Sequence, residues 1–204
     1  MTDKNPSSFY NEKYAKGRME ETDPSSTRWE DNGIFYDTAV TASYVAKSCD
    51  AHRIADIGCG RGFVVNHLRS LGFEADGYEY GEVALKHSVC GAKFCDITGK
   101  LDVPDGRYDF LCCTGVLSHV PMPLVSNALS ELRRIVRKGG AIFSNILVLW
   151  TPTQVHHKTF QPAPWWVTEF QRAGWAKRFE LDPYLHSRGL NIKPEEWACV
   201  HEAV

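Results

Sequence analysis

Arg53-Ile54-Ala55-Asp56-Ile57-Gly58-Cys59-Gly60-Arg61-Gly62 decides the fold. It reads as a buried strand that runs into a glycine-rich turn and opens a helix. Three glycines at alternate positions leave backbone bare where a ligand can lie against it, and glycine reaches dihedrals that a residue with a Cβ avoids. The helix behind the turn offers unpaired N–H groups and a positive dipole end. That combination suits a nucleotide-like or carboxylate-bearing ligand. A glycine-rich loop alone is often only a turn, so the weight falls on what surrounds it.

Upstream, apolar residues over 34–49 recur at helical spacing. Downstream, helices and strands alternate. The pattern predicts a helix over 63–71 closed by Gly72, a strand over 74–79, a helix over 82–89 and a short strand over 92–95. A strand over 108–114 follows, apolar enough to be buried on both faces. A helix over 123–136 is expected next, with Arg133, Arg134, Arg137 and Lys138 complementing its dipole. Then come a strand over 141–149, a helix over 164–173 ended by Gly174, and two final strands over 175–181 and 196–203. Such alternation predicts a mostly parallel α/β sheet with helices on both faces and the ligand at the carboxyl ends of the strands. The last two strands have no helical crossover between them, so they are expected to pair antiparallel.

Bulk properties narrow the function. The 204 residues suit one domain, expected over 34–204, with an N-terminal lid or extension over 1–33. A net charge of −2 lacks the basic excess of nucleic-acid binders, so no nucleic-acid partner is expected. The seven cysteines form no CxxC pair and sit largely in apolar runs, which reads as reduced, structural thiols of a cytoplasmic protein. No Cys/His cluster has ligand spacing, so no metal is expected. The apolar run over 142–150 is broken by Ser144 and Asn145 and is too short to span a bilayer. The N-terminus lacks the apolar core of a signal peptide.

Three further features line up at strand ends with the glycine loop. Glu79 ends the second strand, about 20 residues on, where an acid accepts ribose hydroxyls. Asp96 follows the third strand and suits either an adenine edge or a turn cap. Thr114 and Gly115 leave the fourth strand beside the same crevice. The loop spacing is GxGxG, not the GxGxxG of the dinucleotide fingerprint, which counts against a dinucleotide oxidoreductase.

In this order, DIGCGRG (56–62), GYEYGEVAL (77–85), FCDITG (94–99), YDFLCCTGVLSHV (108–120) and ELRRIVRKGGAIF (131–143) resemble the motifs of class I S-adenosylmethionine-dependent methyltransferases. The resemblance covers roughly residues 35–180 and implies a Rossmann-like, seven-stranded sheet whose last strand is antiparallel. It implies S-adenosyl-L-methionine as cofactor. Asp56, Gly58, Gly60 and Gly62 would surround its methionine part and ribose. Glu79 would hold the ribose hydroxyls, Tyr80 would pack on the adenine, and Asp96 with the backbone of Ile97 would read the adenine edge. Thr114 and Gly115 would floor the sulfonium. Glu79-Tyr80 departs from the commoner Asp followed by a small residue, which moves the carboxylate out by one methylene.

A hydroxyl acceptor must lose a proton, which calls for a base near the methyl. His119 and His157 are the expected candidates, because both follow strands on the carboxyl rim; His156 shares that rim. His52, His87, His186 and His201 read as peripheral. Residues 157–175, ending in Gly174-Trp175, resemble the His, Pro-x-Trp-Trp, Phe, Gly-Phe pattern of small methyltransferases of polysaccharide and lipopolysaccharide synthesis. Trp165 and Trp166 are therefore expected to face a sugar ring, with core packing as the other reading for at least one of them. O-methylation of a sugar or glycan hydroxyl is the function this implies. The alternatives are another small acceptor (a quinone, phenol or thiol) and a non-catalytic cofactor-binding subunit. Tyr14 and Arg18 of the extension are expected near the cofactor carboxylate, with surface packing as the alternative.

Overall fold

The alternating pattern folds into one seven-stranded sheet. The computed structural model describes residues 33–150, 157–182, 185 and 196–204. The extension before Gly33, His156, His186 and most of the loop over 182–195 lie outside the described residues. In chain order the elements are α1 (Gly33–Ser48), β1 (Arg53–Ile57), α2 (Phe63–Ser70), β2 (Glu74–Glu79), α3 (Glu82–Lys86), β3 (Lys93–Phe94) and β4 (Tyr108–Thr114). They continue with α4 (Val125–Ile135), β5 (Val136–Leu147), α5 (Ala163–Arg172), β6 (Trp175–Lys177) and β7 (Glu196–Ala203).

Strand order is β3-β2-β1-β4-β5-β7-β6. β1 to β5 run parallel to one another. β7 inserts between β5 and β6 and is antiparallel to both, as the missing crossover required. Each face of the sheet carries its own core. Ile54, Phe110 and Phe143 pack with Ala42 and Val45 of α1 and Val65 and Leu68 of α2. Ile57, Leu111 and Ile142 pack on the other face with Leu129 and Leu132 of α4 and Trp166 and Phe170 of α5. A fully buried side chain of this size contributes about 1.5–3 kcal/mol, so these two layers hold the sheet together.

The join between α4 and β5 differs from the sequence expectation. The helix stops at Ile135 and the strand begins at Val136 with no loop between. Val136 pairs with Tyr108, and a register shift between Tyr108 and Phe110 takes up the extra residues. Gly140 fits because a Cβ there would lie 2.6 Å from the Asp109 carbonyl oxygen. The basic residues expected to serve the helix dipole tie chain segments together instead. Arg133 donates to the carbonyls of Val136, Gly174 and Val204. Arg134 pairs with Glu131 and Asp105 and donates to the Leu101 and Val103 carbonyls. Arg137 reaches Asp109 at 2.8 Å.

Asp109 anchors the edge of the sheet opposite the carboxyl ends. It accepts the backbone N–H groups of His52 at 3.0 Å and Arg53 at 2.8 Å, besides the Arg137 contact. Burial pushes its carboxyl up, but these N–H donors and the Arg137 and Arg53 guanidinium groups outweigh that and hold it at about 2.

Candidate functional site

The carboxyl ends of β1, β2 and β4 bring the loop, the acids and the rim residues together. Gly58, Gly60 and Gly62 all take positive φ, at 71°, 55° and 90°. Two of them leave room for protein rather than for a ligand. A Cβ on Gly58 would meet Val116 Cγ2 at 2.3 Å, and one on Gly62 would meet Cys90 Sγ at 2.2 Å. Gly115 is the opposite case: its φ is 66° and nothing lies within 4 Å of a Cβ built there. That backbone faces open space at the end of β4.

Glu79 ties the loop to β2. Its carboxylate is buried and accepts the N–H groups of Gly60 at 2.7 Å, Tyr80 at 2.8 Å and Gly81 at 2.7 Å. Burial raises its pKa above the ordinary carboxylate value, and these three bonds counter part of the rise. A carboxylate has about four lone-pair positions, so little acceptor capacity is left for further donors. Asp56 lies buried one residue inside the end of β1, paired in register with Gly77 and Cys112. Burial pushes its carboxyl up to about 8, although the Cys112 thiol donates to it. At neutral pH Asp56 is therefore largely a protonated, uncharged group beneath the loop.

The residues expected on the adenine side lie around the ends of β2 and β3. The Tyr80 ring lies 5.9 Å from that of Phe94, which is 63% exposed at the sheet edge. Asp96 Oδ1 accepts the Thr98 N–H at 2.9 Å and the Thr98 hydroxyl at 2.6 Å. That oxygen is a turn cap, the plainer of the two expected roles. Ile97 is buried in the core below, so only its backbone is on offer.

Beyond Gly115 the chain makes a 3-10 turn over Leu117–His119. The Ser118 carbonyl accepts the N–H groups of Lys158 at 2.8 Å and Thr159 at 3.0 Å, and the Thr159 hydroxyl donates to the Val120 carbonyl at 2.7 Å. These bonds pin the segment after β5 onto the segment after β4. They bring His119 and His157 together, with ring centroids 4.0 Å apart and Phe160 6.0 Å from His157.

Two expectations are corrected here. Trp166 is fully buried in the α4–α5 core, with Trp165 edge-on at 5.0 Å, so its face is not open to a sugar. Trp165 is half-buried and keeps an accessible part. His201 is not peripheral: it is buried and stacks on Phe170 at 3.9 Å, and burial lowers its pKa to about 3. Sequence reasoning also passed over Asn145, which lies opposite Thr114 in the β4–β5 register and donates to Glu196 at 2.9 Å. Its signal was available, as one of the two polar residues that interrupt an apolar strand. Phe94 beside Tyr80 and Val116 against Gly58 carried no such signal, because nothing in an apolar residue's spacing announces such a contact.

All seven cysteines are free thiols, and no metal-binding group of three or more His, Cys, Asp or Glu occurs among the described residues. No described helix is long and apolar enough to cross a membrane.

This sheet order, with an antiparallel β7 and a glycine loop answered by a strand-end acid, agrees with known proteins. A methyltransferase-domain family matches residues 27–195, and the chain belongs to it. The class is the S-adenosylmethionine-dependent methyltransferases, and S-adenosyl-L-methionine is the cofactor. The open backbone at Gly115 and the ordered Glu79–Gly60 link fit such a ligand.

Among individual relatives, a ubiquinone biosynthesis O-methyltransferase of Vibrio parahaemolyticus is 28% identical over 117 residues, 52% of this chain and 49% of that protein. The chain thus spans about half the length of the curated relatives it matches. A TehB-like S-adenosylmethionine-dependent methyltransferase from Corynebacterium glutamicum shares the fold at TM-score 0.64 and 16% identity, over 86% of this chain and 94% of that one. So does the 1,6-didemethyltoxoflavin-N1-methyltransferase of Burkholderia thailandensis, solved with 1,6-didemethyltoxoflavin and S-adenosylhomocysteine. Its TM-score is 0.61 at 12% identity, over 86% and 80% of the two chains.

Proposed function

We propose that this chain O-methylates a hydroxyl-bearing small molecule or glycan, with the His119–His157 pair taking the hydroxyl proton. The observation that carries this reading is the 4.0 Å contact between two imidazoles on the rim past Thr114 and Gly115. When bound, S-adenosyl-L-methionine supplies a methyl on a positively charged sulfur. Asp56 and Gly58–Gly62 would receive its methionine part and ribose, and Glu79 would accept a ribose hydroxyl at the position left on Oε2, beside the Gly60 N–H it already accepts. Tyr80 and Phe94 would pack on the adenine, Asp96 and the Ile97 backbone would face its edge, and Thr114 and Gly115 would hold the part around the sulfur. A neutral imidazole accepts the acceptor's proton as its oxygen is methylated. The rim residues hold that oxygen in line with the methyl and keep water from competing.

Two acceptor classes have separate support. A sugar hydroxyl is favoured by Trp165, whose flat ring at the start of α5 suits a pyranose face. A phenolic or quinol hydroxyl is favoured by the ubiquinone biosynthesis O-methyltransferases among the relatives. Methyl transfer from labelled S-adenosylmethionine to parallel panels of sugars and of catechols or quinols separates them by which panel gains a methyl-sized mass. Cofactor binding with no transfer to either panel would favour a non-catalytic subunit. His119→Ala or His157→Ala is expected to lower the transfer rate by about 100-fold while cofactor affinity holds. Unchanged rates in both variants would sink the base assignment.

A further inference from the structure

The cofactor loop carries a feature that methyl transfer does not use. Cys59 sits between Gly58 and Gly60. Cys90 approaches the same loop from the segment between α3 and β3. Both sulfurs press on Gly77 of β2: a Cβ built on Gly77 would lie 2.8 Å from Cys90 Sγ and 2.9 Å from Cys59 Sγ. Cys90 also occupies the space a Cβ on Gly62 would need. Two positions thus lack side chains where the two thiols meet.

The surroundings of Cys90 are those of a reactive thiol. The Ser88 hydroxyl lies 3.5 Å from its sulfur. The Arg69 guanidinium donates to the Cys90 carbonyl at 2.9 Å and to the Ala75 carbonyl at 2.8 Å, which fixes its positive charge beside the thiol. The Cys59 thiol, then Ser88 and Arg69, favour the Cys90 thiolate and lower its pKa despite burial. Burial drives Cys95, Cys112, Cys113 and Cys199 the other way, so they stay protonated and inert.

We propose that Cys59 and Cys90 are a peroxide-sensitive pair whose disulfide distorts the glycine loop and weakens cofactor binding. The Cys90 thiolate attacks hydrogen peroxide. An S–O bond forms, the O–O bond breaks, and the departing hydroxide takes a proton to become water. The Cys59 sulfur then attacks the sulfenic sulfur. An S–S bond forms, the S–O bond breaks, and the hydroxide leaves with the Cys59 proton as a second water. The two thiols lose two electrons and the peroxide gains them. The closed bond is about 2.05 Å long, so the sulfurs must move together from non-bonded contact and draw the backbone at Cys59 with them. Gly60, the next residue, then loses its alignment with Glu79.

The consequence for binding rests on the loop being the cofactor site; the pairing does not. Reduced protein is treated with hydrogen peroxide and digested with trypsin without reductant. The expected product joins peptide 54–61 to peptide 87–93, each of which holds one cysteine. Affinity for S-adenosylhomocysteine, measured by calorimetry, is expected to fall at least about tenfold on oxidation and to recover with dithiothreitol. Cys90→Ser and Cys90→Ala are expected to bind like the reduced protein and to ignore peroxide. No linked pair, or Cys90 joined to another cysteine, overturns the pairing. A linked pair with unchanged affinity overturns the gating. If the reduced protein does not bind S-adenosylhomocysteine, the loop reading fails and the gating with it, while the peptide map still decides the pairing.

Discussion

Glu79→Gln tests the centre of the site. The carboxylate uses Oε1 for the Tyr80 and Gly81 N–H groups and Oε2 for the Gly60 N–H. Glutamine has one acceptor oxygen. If that oxygen keeps Tyr80 and Gly81, the side-chain NH2 faces the Gly60 N–H, donor against donor. The Gly60 bond is lost in a buried setting, at a cost of about 1.5–3 kcal/mol for a bond to a charged group. The loop can relieve the clash only by moving Gly60 away from β2. The ordered loop is what the cofactor requires, so the same energy should appear in binding: a Kd for S-adenosylhomocysteine raised by about 10- to 150-fold. Titration calorimetry on both proteins reads this directly, and a circular dichroism melt separates loop disorder from global unfolding. An E79Q protein that binds within about threefold of the parent would refute the reasoning, because Gly60 would then not depend on this carboxylate.

Three further outcomes follow from named groups. Asp109 is held at about 2, so its stabilisation is present above the ordinary carboxyl range and is lost as pH falls through about 2. Asp109→Asn should cost about 2 kcal/mol at pH 7, roughly 5 °C in Tm, with the gap closing in acid; a gap independent of pH would rule out the ionic origin. Asp56 behaves oppositely. Its carboxyl is raised to about 8, so its contribution is intact below the ordinary carboxyl range and is lost as pH rises toward 8. Denaturant titrations of Asp56→Asn against the parent should show the variant gaining at least about 2 kcal/mol between pH 5 and pH 8; parallel pH curves would contradict this. Gly58→Ala places a methyl 2.3 Å from Val116 Cγ2 at a φ of 71°, and should lower both Tm and cofactor affinity. Gly58→Ala combined with Val116→Ala should recover part of the loss, and no recovery would show that φ strain alone is responsible.

Much of the fold was legible in local pattern. The alternation of apolar runs and the glycines at 72 and 174 marked most elements within a few residues, and the missing crossover before β7 foretold its direction. The start of β5 was not legible. Arg137-Lys138-Gly139-Gly140 reads as a helix end followed by a turn. Its strand character comes from Tyr108 and Asp109, some 28 residues earlier. The site divides the same way. Glu79 was found because an acid after the second strand has a fixed relation to the loop. The fate of Trp165-Trp166 was hidden, because adjacent positions on a helix point in different directions and the side facing α4 is set by packing. The approach of His119 to His157 depends on one carbonyl, that of Ser118, taking two N–H groups from a distant segment. No spacing rule announces such a bond.

The insertion of β7 between β5 and β6 sets an order of dependence within the sheet. Among the described strands β6 pairs only with β7, through Trp175, Ala176 and Lys177, while β7 is also held along seven residues of β5. Any opening that frees β7 strands β6, but β6 can fray by itself. Amides of β6 should therefore never exchange with solvent more slowly than those of β7. The strand met earlier in the chain is thermodynamically the dependent one. Its strand pairing must wait for a segment about 20 residues further on.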